Sequence, residues 1–78
     1  MNLRILAADL FIQENDDLKL LEFIEEPKDI NEPYDRAYQL RKAYCSLIVV
    51  RLLRMNQHGK VENEFVHFPF RWHNKLDI

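Results

Sequence analysis

Glycine is almost missing from this 78-residue chain: Gly59 is the only one. A glycine-rich loop that cradles phosphate is therefore excluded, because such a loop needs several residues free of a Cβ. Cysteine also occurs once. Cys45 cannot close an internal disulfide, which makes the cytoplasm the expected compartment, and a lone cysteine cannot supply the paired thiolates of a zinc module. No apolar run approaches the roughly 20 residues of a membrane-spanning helix. The stretch from Met1 to Phe11 is interrupted by Arg4 and Asp9, which breaks the apolar core a signal peptide needs. Targeting and membrane association are not expected. A net charge of −2 and a pI near 5.9 lack the basic excess of a dedicated nucleic-acid binder. There is no internal repeat and no low-complexity tract.

What is present is the balance of a folded protein, with 47% apolar and 31% charged residues. The length holds one small domain, residues 1–78, at the size where a single core is marginal unless a partner completes it. Charge is divided unevenly along the chain. Residues 1–35 carry three basic and ten acidic groups, a balance of −7, whereas residues 36–78 carry eight basic and three acidic groups, a balance of +5. Such a split marks either a charged binding face or two halves that neutralise each other on folding.

The hydrophobic pattern predicts a mainly α fold. Leu3, Leu6, Ala7 and Leu10 are spaced as one helical stripe. Glu14-Asn15-Asp16-Asp17 ends that helix and offers caps for a short second one, in which Leu18, Leu21, Phe23 and Ile24 turn inward before Pro27. Asn31-Glu32-Pro33 reads as the start of a third helix. With Gly59 as its left-handed terminator, that helix runs from 32 to about 57, apolar almost all round its middle, and the two short helices pack on it. An extended aromatic segment follows. The rival reading is α+β: Ile48, Val49 and Val50 are β-branched, and residues 46–55 could pair with 61–70 in a hairpin across Asn56 to Lys60. Poor alternation in both runs favours the helix.

No catalytic residue is expected. Cys45 lies in the most apolar stretch, where a thiol acts as a small core residue, and the adjacent carboxylates Asp16-Asp17 and Glu25-Glu26 lack the desolvation that splits acid from base. His67 and His73 have no metal-ligand spacing, so neither metal nor cofactor is expected.

Binding to another protein explains more of the sequence. Tyr34, Tyr38, Phe68, Phe70, Arg71 and Trp72 are of the types enriched at interface anchors. Glu14, Asp16, Asp17, Glu22, Glu25, Glu26 and Asp29 form an acidic amino-terminal face able to dock on a basic groove. The expected function is thus a small non-enzymatic regulator, inhibitor or assembly subunit, able to form a homodimer if the apolar surplus stays uncovered. In size and acidity alone it matches small inhibitory proteins of phages and mobile elements. The alternative is a nucleic-acid-binding regulator that uses Arg36, Arg51 and Arg54 on one face of the third helix together with Arg71 and Lys75 among the aromatics of the tail.

Overall fold

The structure is a computed structural model, and it describes residues 4–68. The described residues form five elements: strands β1 (Arg4–Glu14) and β2 (Asp17–Glu25), helix α1 (Asn31–Tyr44), and strands β3 (Ile48–Met55) and β4 (Val61–Phe68). The strands make one antiparallel sheet in the order β2-β1-β3-β4, with the helix laid across one face. The expected mainly helical architecture is overturned. Neither short amino-terminal helix exists, and the long helix stops at Tyr44, thirteen residues short of position 57.

The first two strands turn on Asn15 and Asp16, with Glu14 paired to Asp17. Asn15 takes φ 58°, a left-handed conformation that Asn tolerates and that two-residue hairpins need. These residues are therefore a hairpin turn and not a helix cap. Helical spacing misread β1 because it is a central strand, apolar on both faces. Ala8, Leu10 and Ile12 face the helix, while Ala7 and Phe11 lie on the opposite face beside Asp9. A strand with apolar residues on both sides lacks the period-2 alternation that would announce it.

The helix begins through Asp29 and not through Asn31. The Asp29 carboxylate accepts the backbone N–H groups of Asn31 at 3.0 Å and Glu32 at 3.2 Å, and the Glu32 side chain accepts the N–H of Lys28 at 2.9 Å. This reciprocal exchange serves amide groups that have no partner inside the helix. The other end closes on Cys45 at φ 54°, whose N–H bonds the Arg41 carbonyl at 2.8 Å. Cysteine there does what glycine usually does. Cys45 is exposed, which corrects the expectation of a core thiol.

Gly59 ends no helix. It occupies the turn between β3 and β4 at φ 80°, its N–H bonding the Asn56 carbonyl at 3.0 Å. The Asn56 side-chain oxygen accepts the N–H groups of His58 and Lys60, at 2.8 and 3.0 Å. The hairpin weighed as a rival for 46–55 and 61–70 corresponds in position to β3 and β4, paired from Ile48↔Phe68 to Met55↔Val61.

Between helix and sheet lies the core: Ala8, Leu10, Ile12, Ala37, Leu40, Ile48, Val50, Leu52 and Phe68, flanked by Ile24, Ile30, Tyr34 and Val66. Leu10, Ile48, Val50 and Leu52 are fully buried. Each contributes on the order of 1.5–3 kcal/mol of transfer free energy.

Candidate functional site

One face of the sheet carries the helix; among the described residues, no helix lies on the other. Pairing places side chains on that open face in cross-strand rows, since partners in a ladder point to the same side. The central row is Phe23, Asp9, Arg51 and Phe65, read from β2 to β4. Beside it, Leu20, Phe11, Val49 and His67 form a second row, in which Val49 is only 1% exposed, and Leu18 and Val61 lie toward opposite corners. Leu18, Leu20, Phe23, Val61 and Phe65 are between 45% and 57% exposed. They account for all but one of the large exposed apolar side chains on described residues, the other being Tyr44.

A bulge explains how β2 presents this set. Register shifts between Leu10 and Phe11, so that Leu21 has no partner across the ladder. Before it Leu18 and Leu20 point to the open face; after it Phe23 does. Without the extra residue Phe23 would turn to the helix side, and Glu22, which meets Arg36 there, would face the opposite way.

At the centre of the open face sits an ion pair. Arg51 donates to the Asp9 carboxylate through Nε at 2.8 Å and through a second guanidinium nitrogen, and the guanidinium carbon lies 5.8 Å from the centre of the Phe11 ring. Asp9 is 6% exposed, and so its charge depends on Arg51 for compensation. Arg51 is the more open of the two, with 40% of its side chain accessible.

The three described arginines expected to share one helical face lie on two elements and three different surfaces. Arg36 is on α1 and bonds both oxygens of Glu22, through Nε at 2.7 Å and through a second nitrogen. Arg51 is on the open face. Arg54, on the helix side of β3, bonds Glu64 at 2.6 Å. Each is already bound to a carboxylate, and the shared helical face is corrected because residues 48–55 are a strand. The bond from Arg36 holds the Glu22 carboxyl below its ordinary range, and Glu22 in turn raises the guanidinium.

The acidic residues do not converge either. Glu14, Asp16 and Asp17 stand at the β1–β2 turn, and Glu25 and Glu26 at the far end of β2, about 26 Å away along a nine-residue strand. Glu22 is paired with Arg36, Glu26 with Arg4 at 3.5 Å, and Asp29 caps the helix. Between β2 and α1 lies a shallow cleft of about 300 Å³, where Glu32 and Asp35 face the Glu22–Arg36 pair.

Of the expected anchors, Tyr34 and Phe68 pack edge to face, ring centres 5.3 Å apart, and Phe68 is 5% exposed. They help close the core. Burial pushes the Tyr34 hydroxyl up from its usual value. Tyr38 lies beneath Arg41 and Lys42, 4.7 and 5.3 Å from its ring centre. Phe70, Arg71, Trp72 and Lys75 lie outside the described residues. The residues that sequence reasoning missed are Leu18, Leu20, Phe23, Val61 and Phe65. Their signal was the i, i+2 spacing of Leu18 and Leu20 and of Val61, Asn63, Phe65 and His67, which has meaning only once these runs are strands.

No helix among the described residues is long and apolar enough to cross a membrane, and no group of three or more His, Cys, Asp or Glu among them could hold a metal ion. No protein-family model matches the chain, and neither a curated protein nor a solved structure matches it.

Proposed function

We propose that the protein is a small non-enzymatic protein-binding module, a regulator, inhibitor or assembly subunit, and that its binding surface is the open face of the sheet. One observation carries this reading: five large apolar side chains, each about half exposed, share a single face around a satisfied ion pair. Apolar side chains gathered this way are what protein contacts bury, and two phenylalanines on rigid strands lose little side-chain entropy on binding. The fitting partner is a flat protein surface with a charged pair at its centre to meet Asp9 and Arg51 and apolar groups on either side of it. A nucleic acid fits less well. Arg51 is neutralised by Asp9, and Arg36 and Arg54 lie off this face in pairs of their own.

The test is capture from cells that make the protein, comparing the natural chain with the Phe23→Ser and Phe65→Ser variants. Both rings are more than half exposed, so the fold survives their loss. Retention of a specific protein should fall at least tenfold in both variants, as for central interface residues. Equal retention by all three chains would remove the open face as the binding surface.

A further inference from the structure

We infer that the open sheet face binds a second copy of this chain, forming a face-to-face sandwich of two four-stranded sheets. The inference rests on the protein-binding reading above and names its partner. The central row reads aromatic, acid, base, aromatic: Phe23, Asp9, Arg51, Phe65. A two-fold axis lying between the sheets, parallel to the strands and passing between β1 and β3, reverses this order in the partner. Phe23 then stands opposite the partner's Phe65, and Asp9 opposite the partner's Arg51. Each ion couple is a dipole across the sheet, and the two dipoles face each other antiparallel, the attractive arrangement. A two-fold axis across the strands would set Asp9 over Asp9 and is disfavoured by the same electrostatics.

Geometry permits this match. Sheets pack about 10 Å apart with their strands rotated by about 30°. The phenylalanines stand about 7 Å from the axis, one and a half strand spacings, so that rotation moves each by less than 4 Å. Aromatic rings interact at centre distances of about 4.5–7 Å and absorb a shift of that size. Four strands of about eight residues cover about 500 Å² in projection. Two such faces remove about 1,000 Å² or more once side-chain relief is counted, which reaches the lower bound for specific association. The set is also isologous, since one patch on one chain supplies both halves of every contact.

The experiment is light scattering and sedimentation of the full chain from about 1 to 500 μM, with a charge-pair variant design. The natural chain should have twice the monomer mass at the upper end. Phe23→Lys and Phe65→Glu should each be folded by circular dichroism and each weaken the dimer at least tenfold. Mixed one to one, they should recover it, because the mixed pair holds one Lys–Glu contact and one intact Phe–Phe contact. Phe23→Leu and Phe65→Leu should stay dimeric. A natural chain that is monomeric throughout overturns the proposal, as does a dimer indifferent to both charged substitutions. Dimers lost in the single variants but not regained on mixing overturn this two-fold arrangement. A monomer whose capture of another protein still fails with Phe65→Ser defeats self-association alone; a monomer whose capture is indifferent to that change defeats the protein-binding reading as well.

Discussion

Asp9 shows how much one residue can ask of its neighbour. At 6% exposure, its carboxylate relies on Arg51, whose own side chain is 40% accessible. Removing the cation by Arg51→Ala leaves a buried charge unanswered. Full burial of an unpaired charge costs about 3–5 kcal/mol, and the partial exposure of Arg51 brings the expected loss to about 2 kcal/mol. The double change Asp9→Val with Arg51→Leu should recover most of it, since apolar replacement of both partners leaves no buried charge. Urea unfolding of the three chains decides this: a double variant as weak as the single one would show that the pair itself, and not the orphaned charge, sets the stability. Glu22 makes a second residue-scale prediction. Its folded-state pKa is lowered, first by the hydrogen bond from Arg36, so it binds protons less readily folded than unfolded. Its contribution is therefore present above the ordinary carboxylate value of 4.5 and is lost as pH falls through the lowered one. Between pH 6 and 3 the urea midpoint should fall less steeply for Glu22→Gln than for the natural chain.

Elements here are defined as much by their turns as by their interiors. The β3–β4 turn depends on Gly59 at φ 80°, where an added Cβ meets no atom within 4 Å. Space is therefore not the obstacle. Gly59→Ala should cost about 1 kcal/mol through left-handed backbone strain alone, and Gly59→Asn less, because asparagine tolerates that region. Thermal unfolding would reveal the difference; equal costs would show that the turn relaxes to another conformation. The helix was readable at its start from Asn31-Glu32-Pro33, although Asp29 and not Asn31 supplies the cap. Its end was not. Cys45 carries no terminating signal, and the apolar residues beyond it continue a helical spacing as well as they make a strand.

For the whole molecule, the decisive fact is that β1 and β3 are central while β2 and β4 are edges. Opening the central pair breaks ladders on both sides and exposes Leu10, Val50 and Leu52. Amide exchange should consequently be slowest in residues 8–12 and 48–52, and faster in Asp17–Leu20 at the edge. Uniform protection across all four strands would contradict this ordering, unless the edges are covered by a partner. A one-sided helix on a four-stranded sheet also leaves a second sheet face to be accounted for. Its exposed apolar side chains come from the two edge strands, β2 and β4, and not from the run around Val50, most of which is buried under the helix.

By itself, the sequence determined that the core draws on the apolar runs around Leu10 and Val50, that α1 starts near Asn31, and that Gly59 marks a break in regular structure, though one it assigned to a helix end. These follow from composition and from backbone chemistry that acts within a few residues. Only the tertiary structure decided that the runs on either side of the helix are strands, because β1 and β3 are stabilised by partners distant in sequence and are apolar on both faces. It alone placed Phe23, Asp9, Arg51 and Phe65 in one row, since that neighbourhood is made by register between four strands and by one bulge, neither of which any local pattern encodes.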